Sequence, residues 1–153
     1  MNFDSLMEQV EALWVGRWLT DLANTSAFVF SEFKDVNWVG FYLFDGHSLK
    51  LGPFQGKPAC TDIELGRGVC GKAFALKQTL RVPDVHKFDD HITCDPVSRS
   101  ELVVPLVFKG KLVGVLDIDS PSVDRFTETD QKFFERMAAA LASTSLSDLA
   151  SGI

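Results

Sequence analysis

The chain has 153 residues and a net charge of −6, and 46% of its residues are hydrophobic. This composition is ordinary for one globular domain and excludes collagen-like, disordered and disulfide-dense classes. The acidic balance and the lack of a basic cluster indicate that the protein binds neither nucleic acid nor an anionic membrane. No apolar run approaches the ~20 residues that a transmembrane helix needs.

The first residues and the cysteine count predict a cytoplasmic protein. Met1 to Asp4 show neither the basic region nor the apolar run of an export signal. Three cysteines are an odd number, so without export we expect them to be thiols in a reducing compartment. We expect residues 1–153 to form a single domain.

Hydrophobic spacing predicts helices near both ends of the chain. Apolar residues follow a helical stripe at Phe3, Leu6, Met7, Val10, Leu13 and Trp14. A second short helix is expected over residues 27–33, after a polar interruption. Thr127 and Asp130 can cap a final helix. The apolar side of that helix carries Phe133, Phe134, Met137 and Leu141.

Between these helices the apolar period changes to two, which predicts strands. Residues 38–44 and 47–54 form a hairpin across Asp45-Gly46, because such a turn needs a positive φ angle. Residues 101–108 and 112–118 form a second hairpin. A glycine turn at 66–71 leads into a helix, a short strand covers 79–82, and 83–98 form a long loop. Two hairpins between terminal helices favour an α+β fold with an antiparallel sheet.

The three cysteines, Cys60, Cys70 and Cys94, are too far apart for a CxxC pair or a zinc knuckle. Free cysteines are often small buried hydrophobic residues, but Cys60 and Cys94 lie in polar loops that contain proline. Cys70 lies near a predicted helix start between Arg67 and Lys72, where the helix dipole and the cations would lower its pKa. Electrostatics alone therefore nominates Cys70 as the most reactive thiol.

Asp117 and Asp119 are two residues apart in a strand, so they share a face with Val113 and Val115. Two carboxylates at the end of an apolar strand do not both ionise easily, and the one that keeps its proton can serve as a general acid. The alternative is a strand end in solvent, where two aspartates have no special role. A metal pair is a third option, but no further carboxylate at a fixed spacing supports it.

Trp38 and Tyr42 are four residues apart in a strand and also share a face. Gly40 between them predicts a slot between two rings, which would hold a thioether or a methyl group. The alternative is ordinary core packing. His91 and Cys94 have no established metal-ligand spacing, and we expect no metal and no organic cofactor.

Six segments that occur in this order closely resemble the free methionine-(R)-sulfoxide reductases, which are built on a GAF domain. The segments are residues 37–42 (NWVGFY), 51–60 (LGPFQGKPAC), 68–71 (GVCG), 94–95 (CD), 100–105 (SELVVP) and 114–120 (GVLDIDS). The resemblance covers roughly residues 26–137, and the three cysteines fall where the three of the family do.

The resemblance implies a GAF-like fold with a six-stranded antiparallel sheet, helices packed on it, and the N- and C-terminal helices together. The core of the domain is expected at about residues 26–143. The resemblance also implies a small enclosed pocket, a homodimer, and reduction of free methionine R-sulfoxide. A thioredoxin-type protein would then reduce the resulting disulfide.

The resemblance assigns a role to each thiol. Cys94 aligns with the thiol that attacks the sulfoxide sulfur, and Cys60 with the thiol that resolves the sulfenic acid. Cys70 aligns with a third cysteine that has also been considered for a catalytic role. This conflicts with the electrostatic choice of Cys70. We follow the resemblance, because a thiol in a loop that faces the acidic strand end is better placed opposite a proton donor.

The resemblance also assigns the binding residues. Glu101, Asp117 and Asp119 align with the acidic set that polarises the sulfoxide and holds the substrate, and Trp38 and Tyr42 with an aromatic wall. Two other functions stay open. One is a non-enzymatic GAF sensor that binds a small ligand in the same pocket, and the other is a redox sensor whose cysteines react with oxidants.

Overall fold

The computed structural model describes residues 1–92 and 94–152. The α-helices are α1 (Phe3–Glu11), α2 (Trp18–Glu32), α3 (Gly68–Leu76), α4 (Glu128–Ser145) and α5 (Ser147–Ala150). The strands are β1 (Trp38–Phe44), β2 (Leu49–Gln55), β3 (Asp62–Ile63), β4 (Leu80–Val82), β5 (Ser100–Phe108) and β6 (Lys111–Ser120). None of the helices in this part of the chain is long and apolar enough to cross a bilayer.

Within the described residues, six strands form one sheet in the order β3-β2-β1-β6-β5-β4, and every adjacent pair is antiparallel. Each predicted hairpin contributes one central strand, β1 or β6. These two strands pair so that Trp38 lies opposite Asp119 and Gly40 lies opposite Asp117. The α+β architecture with a six-stranded antiparallel sheet is therefore confirmed, and its centre holds the residues that the sequence singles out.

One face of the sheet, here called the helix face, is covered by α2 and α4, with α1 packed beside α4. The larger apolar cluster lies there, and Phe134 and Met137 of α4 are completely buried in it. The terminal helices lie together as expected, since the ring of Phe3 lies 4.8 Å from that of Phe133. The predicted cap of α4 is also present, because Thr127 Oγ1 accepts from the backbone N–H of Asp130 at 3.0 Å.

The opposite face, here called the pocket face, carries α3 and a loop between β4 and β5, here called the Cys94 loop and described at residues 83–92 and 94–99. A short 3₁₀ turn, Val85–Lys87, interrupts this loop. The smaller apolar cluster lies on this face and includes Trp38, Tyr42 and Cys70. The candidate site is therefore built from the central strands, α3 and the Cys94 loop.

The N-terminal helices differ from the prediction. α1 ends at Glu11, so the last two residues of the predicted stripe lie beyond it. α2 begins at Trp18, well before residue 27. The polar residues that indicated a break are tolerated because Ser26 Oγ donates to the backbone carbonyl of Leu22, at 2.8 Å, within the helix itself.

The alternation of side chains along β6 breaks at Val113. The residues before and after Val113 pair with consecutive residues of β5, so Val113 is an extra residue in its strand. A bulge of this kind reverses which face the following residues occupy. Val113 packs in the helix-face cluster and Val115 in the pocket-face cluster, so the prediction that Val113 shares a face with Asp117 is wrong.

Candidate active site

A small pocket lies on the pocket face between β1, β5, β6, α3 and the Cys94 loop. Its described lining includes seven of the eight predicted site residues, namely Trp38, Tyr42, Cys70, Cys94, Glu101, Asp117 and Asp119. The eighth, Cys60, is bonded to one of these. The cavity measures about 40 Å³, which is room for roughly three water molecules.

Cys60 and Cys94 form a disulfide beside this pocket. Their Cα atoms lie 5.4 Å apart, although 34 positions separate them in the sequence. The bond joins the segment that follows β2 to the Cys94 loop, and both cysteines are only partly exposed. The structure therefore describes an oxidised form of the protein.

Cys70 is a free thiol, and its environment is the opposite of the predicted one. It lies in the first turn of α3, but its side chain is buried, and Sγ lies 3.8 Å from Glu101 Oε2. Burial raises the pKa of the Cys70 thiol well above its usual value, and the nearby carboxyl groups of Asp117 and Glu101 raise it further. The prediction of a lowered pKa for Cys70 is therefore wrong.

The two cations that were expected to activate Cys70 are engaged elsewhere. Arg67 Nε lies 2.9 Å from Asp90 Oδ2, and Lys72 Nζ donates to the backbone carbonyl of Asp89 at 3.1 Å. Their charges are therefore directed to the Cys94 loop and not to the thiol. The sequence spacing placed them correctly along the chain but could not show which way the side chains point.

Three carboxyl groups from the neighbouring strands β5 and β6 meet in the pocket. Asp117 and Asp119 extend from β6, and Glu101 of β5 pairs opposite Asp119. Burial is the main cause that raises the pKa of each, and neighbouring carboxyl groups raise the pKa of both aspartates further. The cluster therefore holds protons at a pH where exposed carboxyl groups have lost them, as a general acid must.

Two oxygen atoms of this cluster lack a hydrogen-bond partner among the described residues. They are Oδ1 of Asp117 and Oδ1 of Asp119, and both are buried. Buried polar atoms in folded proteins nearly always have a partner. These two oxygen atoms are therefore suited to a polar ligand that enters the pocket.

Cys70 Sγ and one oxygen each of Glu101 and Asp117 lie within 4.8 Å of one another, a spacing compatible with a metal ion. Metal ligands must give up their protons to bind. The pKa of all three groups is raised by burial, so each favours its protonated form. We therefore interpret this group as an acid cluster and not as a metal centre.

Trp38 and Tyr42 share a face as predicted, and their rings stack with centroids 5.9 Å apart. The expected slot over Gly40 is absent, because the Phe54 ring stacks on Trp38 at 5.2 Å. A Cβ atom at position 40 would collide with the Phe54 side chain and lie 2.8 Å from Trp38 Cη2. Glycine at this position therefore permits close packing of β2, and the aromatic wall is formed by the rings alone.

The polar ends of both rings hold the segment that carries Cys60. Trp38 Nε1 donates to the backbone carbonyl of Lys57 at 3.1 Å, and the Tyr42 hydroxyl donates to that of Cys60 at 2.9 Å. Burial raises the pKa of Tyr42, so its hydroxyl keeps the proton that it donates. The aromatic wall is thus hydrogen-bonded to the disulfide segment.

Sequence reasoning missed three polar residues beside the site. Asn37 Nδ2 donates to Asp95 Oδ2 at 3.1 Å and to Ser98 Oγ at 3.0 Å. Ser98 Oγ in turn donates to Asp119 Oδ2 at 3.4 Å. Asn37 and Asp95 lie in segments that carry the family resemblance, residues 37–42 and 94–95, but no role was assigned to them. Ser98 lies outside all six segments.

The fold and this site were compared with known proteins. Residues 19–146 match the GAF domain family. The free methionine-R-sulfoxide reductase of Escherichia coli (strain K12) is 49% identical over 141 residues, which cover 91% of this chain and 86% of that protein.

Two solved structures agree with this comparison. Free methionine-R-sulfoxide reductase from Neisseria meningitidis, in complex with its substrate, gives a TM-score of 0.91 at 41% identity, over 97% of this chain and 91% of that chain. The reduced form of fRMsr of Staphylococcus aureus gives a TM-score of 0.90 at 42% identity, over 94% of this chain and 94% of that chain. By sequence and by fold, the chain belongs to the free methionine-R-sulfoxide reductases of the GAF domain family.

Proposed function

We propose that this protein reduces free L-methionine (R)-S-oxide to L-methionine with its own thiols. The observation that carries the proposal is the Cys60–Cys94 disulfide beside a pocket that also contains proton-holding carboxyl groups. A sensor that only binds a ligand needs neither a second thiol nor a proton donor. The thiols supply both electrons, so the reaction needs no metal and no organic cofactor.

In the first step, Cys94 of the reduced protein attacks the sulfoxide sulfur as a thiolate. A carboxyl group among Glu101, Asp117 and Asp119 supplies one proton to the sulfoxide oxygen. The sulfur–oxygen bond of the substrate breaks, and the oxygen passes to Cys94 as a sulfenic acid. Methionine sulfur gains two electrons and Cys94 loses two, so the step is balanced.

In the second step, the Cys60 thiol attacks the sulfur of the sulfenic acid and displaces water. The product is the Cys60–Cys94 disulfide that the structure contains. A dithiol protein such as thioredoxin then exchanges with this disulfide and returns both cysteines to thiols. The oxidised protein therefore corresponds to the state that follows methionine release and precedes reduction by the dithiol protein.

The pocket supports a preference for the free amino acid. The unpartnered Oδ1 of Asp117 suits an ammonium group, which a methionine residue inside a protein does not have. Trp38 and Tyr42 supply aromatic faces for the sulfur and its methyl group.

We further propose that the protein acts in the cytoplasm as a homodimer during oxidative stress. Exposed apolar side chains at Leu13, Val15 and Leu19 support a contact between two copies. A thiol-based enzyme requires a reducing compartment, which the cytoplasm provides. Gel filtration with light scattering tests the dimer directly.

The activity is tested by mixing the reduced protein with each stereoisomer of free methionine sulfoxide. One methionine should be released and two thiols lost per subunit with the R form, and neither with the S form or with an N-acetylated amide. Binding of the sulfoxide without thiol loss would instead indicate a sensor. Thiol loss with hydrogen peroxide but without methionine release would indicate a redox sensor.

Cys60→Ser separates the two chemical steps. We expect about one methionine per subunit in a single turnover, and then no further release, because the sulfenic acid lacks its intramolecular partner. The measurement is a time course of methionine release with a thioredoxin-type reductant. An unchanged multiple-turnover rate would remove Cys60 from the mechanism.

A further inference from the structure

We infer that Asn37 and Ser98 form a hydrogen-bond relay to Asp119. The relay fixes which oxygen atom of Asp119 carries the proton that is transferred to the sulfoxide, and this role rests on the proposed reaction. Neither side chain is needed to touch the substrate. Both are positioning residues, and they act through the orientation of one carboxyl group.

The direction of the relay is set at Asp95. Its Oδ1 accepts from the backbone N–H of Val97 at 3.0 Å, and its Oδ2 lies 3.1 Å from the side-chain amide of Asn37. An acceptor-only carboxylate must be faced by the NH₂ group of an amide and not by its oxygen. Asp95 therefore orients the amide of Asn37.

The second hydrogen of the Asn37 NH₂ group points to Ser98 Oγ at 3.0 Å. An amide NH₂ cannot accept, so the Ser98 hydroxyl accepts at this contact and keeps its single hydrogen for another partner. That partner is Asp119 Oδ2, at 3.4 Å. Because Oδ2 accepts a hydrogen bond, a proton held by Asp119 lies on Oδ1.

Oδ1 of Asp119 is the oxygen that the reaction needs. It is buried, it lacks a hydrogen-bond partner among residues 1–92 and 94–152, and Asp119 lines the pocket. A proton on this atom is available to a sulfoxide oxygen. Without the Ser98 hydroxyl, the proton could occupy either oxygen of the carboxyl group.

The relay is held by contacts other than the disulfide. The backbone N–H of Ser98 donates to the carbonyl of Asp95 at 3.2 Å, and that of Arg99 donates to the carbonyl of Ser120 at 2.7 Å. The backbone N–H of Asn37 donates to the carbonyl of Asp119 at 3.0 Å. The same geometry is therefore expected after the disulfide has been reduced.

Asp119 is surrounded by other titratable groups, which decide the sign of a pH effect. The groups that shift the pKa of Asp119 or line the same pocket are Asp95, Asp117, Glu101, Tyr42, Cys70, Arg67 and His91. Burial raises the pKa of Asp119, and the hydrogen bonds from Asp117 and Ser98 oppose that rise. Removing the Ser98 hydroxyl therefore raises the pKa of Asp119 further and preserves its proton to higher pH.

The test measures single-turnover methionine release from pH 5 to 9 for reduced Ser98→Ala, Ser98→Thr and Asn37→Asp. Ser98→Ala should release methionine about tenfold more slowly at pH 7, with a KM within about threefold of the parental value. The basic limb of its pH–rate profile should move to higher pH. Ser98→Thr keeps the hydroxyl and should recover most of the rate. Asn37→Asp should lose at least as much as Ser98→Ala, because its carboxylate accepts from Ser98 and turns the hydroxyl away from Asp119.

Asn24→Asp is the matched control, because Asn24 is exposed on α2, and it should behave as the parent does. If the parent itself releases no methionine, the proposed function fails. If the parent is active, the relay is overturned when Ser98→Ala keeps the parental rate and pH profile. The relay is also overturned when Ser98→Ala lowers the rate without moving the basic limb of the pH–rate profile and Ser98→Thr does not restore the rate. That result would mean that Ser98 only holds the loop in place. Should Ser98→Ala not fold, the rate of Asn37→Asp decides, and a parental rate in that variant overturns the relay.

Discussion

The two faces of the central sheet bury polar groups in different ways. On the helix face, Asp21 is completely buried and accepts from the backbone N–H groups of Val15 and Gly16 and from Ser145 Oγ. On the pocket face, Asp117 and Asp119 each keep one buried oxygen without a partner among the described residues.

This difference separates the buried polar groups that stabilise the fold from those that take part in the reaction. A buried carboxylate that has hydrogen-bond partners, such as that of Asp21, joins α2 to α4 and costs little folding free energy. An unsatisfied carboxyl group is costly, so it is retained where a ligand or a proton transfer uses it. Substitutions on the two faces should therefore affect different measurements, and four predictions follow in order of expected effect.

Cys94→Ser should abolish turnover and leave the fold intact. Cys94 is only partly buried and belongs to neither apolar cluster, so its loss removes a nucleophile without creating a core cavity. Methionine release and the urea midpoint under reducing conditions are the two measurements, with Cys70→Ser as the matched variant. A fully active Cys94→Ser protein beside an inactive Cys70→Ser protein would assign the attack to Cys70.

Asp119→Asn should slow the reductive step by ~10²–10⁴-fold, the usual loss when a positioned acid is removed. An amide can hydrogen-bond to the sulfoxide but cannot protonate it. The change also removes a carboxyl group that raises the pKa of Asp117, so the pH profile should change in shape. Single-turnover methionine release between pH 5 and 9 is the measurement. A parental rate and profile would point to Glu101 as the acid.

Phe134→Ala tests the helix face. Phe134 is completely buried and its ring lies 4.9 Å from that of Phe33, so truncation should lower the free energy of unfolding by about 3–5 kcal/mol. The rate per folded molecule should not change. Urea unfolding and active-site titration are compared with Phe30→Ala, whose side chain is more exposed. A large loss of rate in the folded fraction would contradict the separation of the two faces.

Asp117→Asn should raise the free energy of unfolding at neutral pH. Burial and neighbouring carboxyl groups raise the pKa of Asp117 in the folded state, so the folded protein binds more protons than the unfolded chain. The contribution of Asp117 to the stability of the parent therefore falls as pH rises above ~4, and an asparagine does not follow that fall. Urea unfolding from pH 4.5 to 8 should show that the difference in free energy of unfolding between Asp117→Asn and the parent increases with pH.

The control for this effect is Asp148→Asn, since Asp148 is exposed on α5. Its unfolding should track that of the parent at every pH. A constant difference between Asp117→Asn and the parent would mean that Asp117 is ionised in the folded state across this range. The site would then lack one of its proton-holding groups.

The helix face follows closely from local sequence. The apolar spacing of Phe133, Phe134 and Met137 predicts the buried side of α4, and the cap at Thr127 predicts its start. Asp45-Gly46 predicts the first hairpin, and Gly46 has a positive φ of 99°. The turn is longer than predicted, because Phe44 pairs with Leu49 and β2 begins two residues after the predicted residue 47. These features depend on residues that are neighbours in the chain.

The pocket face could not be predicted in the same way, because its properties arise from contacts between distant residues. The pKa of Cys70 depends on carboxyl groups of β5 and β6, and not on the cations beside it in the sequence. Asn37 reaches Ser98, which lies 61 positions further along the chain. The resemblance to a known family indicated which residues meet, but not how their hydrogen bonds are directed.

The hydrogen bonds from Trp38 and Tyr42 to the Cys60 segment restrict how this pocket can be redesigned. A smaller side chain at either position would enlarge the pocket, but it would also release the backbone that presents Cys60. Substrate range and disulfide formation are therefore not independent variables at these two positions. Engineering toward bulkier sulfoxides should begin at Ala59, Ile63 and Val69, whose side chains line the same pocket with carbon atoms alone.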